Sequence, residues 1–168
     1  YALADALGEA LDGLFTSDSL SCRFFQDGAD ALAAAARVAR CATGRKGVAG
    51  YGYHGSCAEW SHRLPNGELP GGQPEDIVTL NYRFEWGDVN FMRALAFTSA
   101  AICVEVPPVP DDEARAFLKE CRKACDEGGA VFIIDEVVTG FRLALGGAAQ
   151  YYGVKPDIGC YGKAMSAM

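Results

Sequence analysis

The feature that most constrains the fold is a run of large apolar residues that ends on two carboxylates. Residues 130–134 are apolar throughout, and Asp135 and Glu136 follow them directly. Successive side chains of a strand face opposite sides of a sheet, so a continuous apolar run predicts a strand covered on both faces. Such a strand is typical of a parallel sheet that lies between two layers of helices.

The same alternation of helical and apolar segments continues along the chain. Apolar spacing, capping residues and glycines predict helices over residues 2–15, 29–42, 88–96, 111–127 and 146–152. Apolar and β-branched runs predict strands over residues 20–25, 48–53, 77–82, 100–106, 130–134 and 158–161. Residues 54–76, which are rich in Gly, Pro and Asn, are predicted to form a long loop of functional or mobile character. We therefore predict an α/β fold, in which a three-layer, mostly parallel sheet carries helices on both faces.

Composition excludes several classes of function. The chain has 168 residues, with 15 Lys and Arg against 22 Asp and Glu, which gives a net charge of −7. Without a basic stripe it is poorly suited to bind nucleic acid or an anionic membrane, and no apolar run reaches the roughly 18 residues of a membrane span. The seven cysteines form no Cys-X-X-Cys pair, which favours reduced thiols in the cytoplasm over disulfides or a zinc site. No metal site is predicted.

Candidate site residues follow the apolar runs, because ligands of parallel sheets bind beyond the carboxyl ends of the strands. These residues are Asp27-Gly28, Tyr53-His54-Gly55, Glu105, Asp135-Glu136 and Gly162-Lys163. A buried carboxylate such as Asp135 stays ionised only beside a cationic partner. Glu136 is expected on the opposite face of the strand, in a structural ion pair for which Arg142 is a candidate.

Each candidate also has an ordinary structural interpretation. Asp135 alone is as well explained by capping or a salt bridge, and Lys163 alone by a solvated surface position. The Gly28–Ala29 segment suits an anion site at a helix start, but an ordinary turn explains it equally well. Cys121 and Cys125 share a helix face, where core packing is expected rather than metal binding.

The order and spacing of the motifs are more specific than any one of them. Asp135 and Lys163 are 28 residues apart. Blocks that match a known pattern in order are residues 23–28, 37–40, 43–45, 52–55, 132–142, 144–148, 152–157 and 162–165. Through these blocks nearly the whole chain resembles the class III pyridoxal-phosphate-dependent aminotransferases, closest to the glutamate-1-semialdehyde aminomutase-like branch.

This resemblance implies pyridoxal 5'-phosphate as the cofactor and assigns the two catalytic roles. Lys163 would hold the cofactor as a Schiff base and later carry a proton between the two ends of the conjugated imine. Asp135 would pair with the pyridine nitrogen and keep it protonated, which makes the ring an electron sink.

The resemblance also implies the residues that bind the cofactor. The amides of Gly28 and Ala29 would hold the phosphate, while Tyr53 and Val137 would lie against the two ring faces. His54 would shape the pocket without an assigned chemical role. The family commonly has a small hydroxyl residue where Ala29 stands, so one phosphate contact is expected to be lost.

The function implied is a transaminase or aminomutase that acts on an amino acid or amino-aldehyde. A racemase or amino-sugar aminotransferase with the same cofactor remains an alternative, as does a non-catalytic α/β module. Residues 1–168 would form part of the cofactor-binding large domain of fold type I, without the preceding segment and the following small domain. The complete protein is expected to be a cytoplasmic homodimer with small-molecule amino donors and acceptors. The isolated chain is expected to bind cofactor weakly and turn over little.

Overall fold

The computed structural model describes residues 2–17, 20–108 and 111–166, so the predicted domain limits at residues 1 and 168 lie outside the described residues. The α-helices of the described residues are α1 (Ala2–Ala10), α2 (Gly28–Thr43), α3 (Glu75–Val78), α4 (Val89–Ala96), α5 (Asp112–Gly128) and α6 (Gly147–Tyr152). The strands are β1 (Val48–Tyr51), β2 (Tyr82–Arg83), β3 (Ala101–Glu105), β4 (Val131–Glu136) and β5 (Ile158–Tyr161). Short 3-10 helices span Ala58–Trp60 and Lys163–Ser166.

The strands form one parallel sheet in the order β2-β1-β3-β4-β5. Its register places Asp135 between Glu105 of β3 and Cys160 of β5, all at the carboxyl ends of their strands. Helices α4, α5 and α6 pack on one face of the sheet, and α2 packs on the other with the Ala58–Trp60 turn. The predicted three-layer parallel α/β architecture is confirmed.

Capping residues set the limits of the two longest helices. Asp27 caps α2 and accepts a hydrogen bond from the Asp30 amide, and Asp111 caps α5 in the same way. Both helices end on a left-handed glycine, Gly44 with φ 69° and Gly129 with φ 74°. Because these signals are local, the helices predicted over 29–42 and 111–127 are confirmed to within one residue.

Two predicted elements near the start of the chain differ from the structure. The helix predicted over 2–15 ends at Ala10, since Gly13 adopts φ 71° and turns the chain so that Phe15 packs inward. The strand predicted over 20–25 is not formed, because these residues pair with no described strand and β5 is the edge of the described sheet. An extended segment becomes a strand only when a neighbour satisfies its backbone groups.

The strand predicted over 77–82 is also wrong. Glu75 and Asp76 follow Pro74 and open the helical turn α3, which buries Val78 against the fold. Only Tyr82 and Arg83 pair with the sheet, as the edge strand β2. A short apolar run alone does not distinguish a strand from a buried helical turn. The strand predicted over 48–53 ends at Tyr51, where Gly52 adopts φ 105°.

All seven cysteines lie among the described residues and are free thiols. Cys121 and Cys125 lie on α5 and are buried in the core, which confirms the predicted packing role. No helix among the described residues is long and apolar enough to cross a bilayer.

Candidate active site

Asp135 follows the apolar run of β4 and is buried. The residue is 2% exposed. Its Oδ2 lies 2.8 Å from Nδ1 of His54, and its Oδ1 accepts a hydrogen bond of 3.1 Å from the Val137 amide. A carboxylate only accepts hydrogen bonds, so Nδ1 of His54 carries the proton in this pair. Asp135 therefore has a hydrogen-bonding partner within the chain, which was not predicted from the sequence.

His54 is itself held on several sides. It is 5% exposed, its ring centroid lies 5.0 Å from that of Trp60, and Sγ of Cys103 lies 3.8 Å from its Nδ1. A Cβ atom at Gly50 would lie 3.0 Å from Nε2, so the glycine makes room for the ring. Nε2 is buried and has no hydrogen-bond partner among the described residues. Sequence analysis placed His54 in the pocket but could not identify Asp135 as its partner.

Close backbone approaches bring the candidates Gly28, Ala29 and Val137 near their neighbours in the site. A Cβ atom at Gly28 would lie 2.8 Å from Cγ2 of Val137, and one at Gly162 would lie 3.3 Å from its Cγ1. A Cβ atom at Gly55 would lie 2.5 Å from that of Ala29. The start of α2, the residue after β4 and the residue before Lys163 therefore meet around the Val137 side chain.

The start of α2 has the properties of an anion site. Asp27 accepts the amide of Asp30, and the amides of Gly28 and Ala29 precede the first carbonyl that a helix can offer them. A helix of 16 residues also directs the positive end of its dipole to this point.

Lys163 and Tyr53 are both exposed to solvent. Lys163 follows β5 and is exposed, and its φ of 40° is in the left-handed region that lysine rarely occupies. Strained backbone of this kind is concentrated at functional positions. The Tyr53 side chain is 72% exposed, while its amide donates a hydrogen bond of 2.7 Å to Oε2 of Glu105.

The predicted ion pair between Glu136 and Arg142 is wrong. The Glu136 carboxylate faces the start of α6 and accepts hydrogen bonds from the Thr139 hydroxyl and from the amides of Ala148 (2.9 Å) and Ala149 (2.8 Å). Arg142 instead donates to the carbonyl of Val138. Burial raises the pKa of Glu136 above its usual value, although these three hydrogen bonds oppose the rise.

Two buried thiols flank the Asp135 carboxylate. Cys103 lies on β3 and Cys160 on β5, on the side of the sheet that α2 covers. Burial raises the pKa of both thiols, and the nearby Asp135 carboxylate raises it further. Both thiols are therefore neutral packing groups at physiological pH.

A cavity of about 460 Å³ adjoins the His54 side of the site. Its lining includes Tyr53, His54, Trp60, His62, Arg83 and Glu105. Sequence analysis missed His62 and Arg83. The available signal was the position of Arg83 at the end of a strand, but the strand assigned to residues 77–82 stopped one residue short of it.

Comparison with known proteins places this geometry in a family. The sequence profile of the family Aminotransferase class-III matches residues 109–167. A glutamate-1-semialdehyde 2,1-aminomutase of Francisella philomiragia is 36% identical over 159 residues, which cover 84% of this chain and 36% of that protein. The chain thus spans little more than a third of the length of this curated relative.

Solved structures give the same result. A structure described as a transaminase with PLP bound is 27% identical and superposes with a TM-score of 0.78, covering 100% of this chain and 42% of that one. An omega-transaminase from Sphaerobacter thermophilus is 26% identical with a TM-score of 0.73, covering 96% and 42% of the two chains. Together with the parallel sheet, these matches show that the chain belongs to the class III aminotransferase family and has the fold type I architecture.

Proposed function

We propose that this chain is part of a pyridoxal-phosphate-dependent transaminase or aminomutase that acts on an amino acid or amino-aldehyde. The observation that carries the proposal is the buried Asp135 carboxylate, held by His54 at the end of β4 and next to the strand that leads into Lys163. Residues 1–168 are proposed to form part of the cofactor-binding large domain.

The residues present fit this cofactor. Gly28 and Gly162 allow the backbone to approach Val137 closely, and Gly55 allows it to approach Ala29, so these candidates lie together near the end of β4. Each carboxylate oxygen accepts two hydrogen bonds, so Asp135 keeps acceptor capacity beyond the bonds from His54 and Val137. The free amides at the start of α2 suit a phosphate group.

Pyridoxal phosphate supplies an aldehyde that bonds covalently to amines and a ring that takes up the electron pair left when a proton departs from the adjacent carbon. Lys163 would provide the amine that binds the aldehyde and would then move a proton between the two carbons that flank the bonded nitrogen. Asp135 would accept a hydrogen bond from the ring nitrogen and keep the proton there. His54 fixes the orientation of that carboxylate.

The remaining candidates bind rather than react. The amides of Gly28 and Ala29 hold the phosphate, and the macrodipole of α2 adds to its binding. Val137 would contact one face of the ring and Tyr53 the other. The backbone at Tyr53 is held by the hydrogen bond from its amide to Glu105.

We further propose a cytoplasmic homodimer with small-molecule amino donors and acceptors. Exposure of Tyr53 and Lys163 leaves one side of the site open, and a second subunit would exclude water from it. Four of the seven thiols are buried and unpaired, which suits a reducing compartment.

Reduction of the protein with borohydride in the presence of pyridoxal phosphate tests the proposal. We expect an absorption band above 380 nm that is lost on reduction, about one cofactor attached per chain, and attachment at Lys163 by peptide mass spectrometry. Lys163→Ala should abolish the attachment. Lys155→Ala, which removes an exposed lysine near β5, should retain it. Equal labelling of both variants, or no labelling of the parent chain, would refute the proposal and favour a non-catalytic module.

A further inference from the structure

The start of α2 carries two carboxylates beside the amides that are proposed to hold the cofactor phosphate. Asp27 precedes the helix, Asp30 lies in its first turn, and both residues are exposed. Oδ1 of Asp27 accepts a hydrogen bond of 2.9 Å from the Asp30 amide. Gly28 and Ala29 lie between the two acids in the chain. An anion bound to the amides of Gly28 and Ala29 would therefore lie within one helical turn of both carboxylates.

A neighbouring thiol is sensitive to the charges at this position. Sγ of Cys57 lies 3.8 Å from the carbonyl oxygen of Ala29 and is thus adjacent to the same turn. The pKa of Cys57 is raised above its usual value, by burial first and then by nearby carboxylates that include Asp30 and Asp27, while Arg37 opposes the rise. The two acids therefore disfavour negative charge on a group that contacts the start of α2.

A phosphate at this position is subject to two opposing effects. The free amides donate hydrogen bonds, and the helix dipole contributes the equivalent of about half a positive charge. A phosphate monoester carries about 1.5 to 2 negative charges near neutral pH, and it would be repelled by Asp27 and Asp30. Repulsion from two carboxylates exceeds the attraction of half a charge at similar distance. The hydrogen bonds fix the phosphate, but the charges weaken its binding.

We propose that the carboxylates of Asp27 and Asp30 weaken the binding of the cofactor phosphate and so determine how strongly the site prefers pyridoxal phosphate to pyridoxal, which lacks the phosphate. The inference rests on the proposed function, because it requires the cofactor to attach to Lys163 with its phosphate at the start of α2. The two acids set the affinity for the cofactor and take no part in the reaction.

Titration of the chain with pyridoxal phosphate and, separately, with pyridoxal tests the inference, with the absorption band above 380 nm as the readout. Asp27→Asn/Asp30→Asn removes both charges and keeps a side-chain oxygen at position 27 that can cap the helix. We expect this double variant to bind pyridoxal phosphate about fivefold or more tightly than the parent chain and to bind pyridoxal unchanged. The gain should shrink in about 1 M sodium chloride, because salt screens exposed charges. A purely structural effect of the substitutions would not depend on salt in this way.

Asp111→Asn/Asp112→Asn is the matched control. It makes the same change in net charge at the start of α5, where Asp111 also caps the helix, and α5 packs on the opposite face of the sheet from α2. This variant should bind both compounds like the parent chain. Equal affinity of the parent and Asp27→Asn/Asp30→Asn chains for pyridoxal phosphate, an equal gain for pyridoxal, or the same gain in the control would overturn the inference.

Two further outcomes are decisive. If the double variant unfolds, Asp27→Asn alone is compared with Asp111→Asn, and equal affinities of these two for pyridoxal phosphate overturn the inference. Failure of both compounds to attach at Lys163 would refute the proposed function and this inference with it. Attachment of both compounds with a preference that the substitutions leave unchanged would refute this inference alone.

Discussion

His54 and Asp135 are 81 residues apart in the chain and 2.8 Å apart in the fold. Each group alone would lose its hydration on burial without compensation, and the hydrogen bond between them offsets part of that cost. The pair is thus a stability determinant as well as a candidate site element. Sequence position predicted the acid, because Asp135 directly follows an apolar run. It could not predict the partner, since no local signal joins β1 to β4.

Removal of the imidazole tests the contribution of this pair to stability. His54→Phe leaves the buried Asp135 without its side-chain donor and should lower the free energy of unfolding by about 1–3 kcal/mol. His54→Asn retains an amide donor near the position of Nδ1 and should lose less. Urea denaturation followed by circular dichroism measures both. A Phe variant as stable as the Asn variant would show that the hydrogen bond contributes nothing.

Glu136 should give a pH-dependent effect with a defined sign. Burial raises its pKa in the folded state, so the folded protein binds this proton more tightly than the unfolded chain does. The contribution of Glu136 to stability is therefore smallest above its folded pKa and grows as the pH falls through that value. Glu136→Gln should cost about 1–3 kcal/mol, because the NH2 group that replaces one carboxylate oxygen cannot accept a hydrogen bond, so the donors Thr139, Ala148 and Ala149 cannot all be satisfied.

The stability difference between the parent chain and Glu136→Gln should consequently be larger at pH 5 than at pH 8. Urea denaturation midpoints and slopes of both proteins at the two pH values provide the measurement. A difference that shrinks on acidification would contradict a raised pKa for this carboxyl group.

Among the helices and strands, those with sequence signals inside or next to the segment itself were predicted correctly. Helices α2 and α5 carry a capping aspartate and a terminal glycine, and β4 is an unbroken apolar run. The segments 20–25 and 77–82 were assigned wrongly because strand formation depends on a neighbouring strand. The same error concealed Arg83, whereas the candidates at the ends of β3 and β4 lie at the expected edge of the sheet.

Substitution of Gly28 at the start of α2 distinguishes an effect on helix stability from an effect on cofactor binding. Gly28→Ala favours the helix but presses a methyl group against Val137, at 2.8 Å from Cγ2. We expect pyridoxal phosphate to bind about tenfold or more weakly, with the unfolding free energy changed by less than about 1 kcal/mol. Cofactor titration and urea denaturation measure the two quantities.

Gly8→Ala is the control for this substitution. Gly8 lies within α1, and a Cβ atom there would contact nothing within 4 Å. The variant should gain up to about 1 kcal/mol of helix stability and bind the cofactor unchanged. Equal cofactor affinity of the two variants would show that the surface around Val137 does not form the cofactor site.

For the whole molecule, burial divides the thiols into two classes. Cys103, Cys121, Cys125 and Cys160 are buried, and burial raises the pKa of each, that of Cys125 to about 12. The native protein at pH 8 should therefore react with Ellman's reagent first at the exposed Cys41, while these four thiols react only on global unfolding. The measurement is the number of fast-reacting thiols with and without urea. Rapid reaction of all seven in native buffer would contradict the described core.

The strand order also has a consequence for synthesis on the ribosome. Strands β3, β4 and β5 pair with β1, β3 and β4, each of which leaves the ribosome earlier, so this side of the sheet can grow as the chain emerges. Lys163 follows the last of these strands. A nascent chain can therefore pair these strands before Lys163 emerges, and under the proposed function it would bind the cofactor only after they have formed.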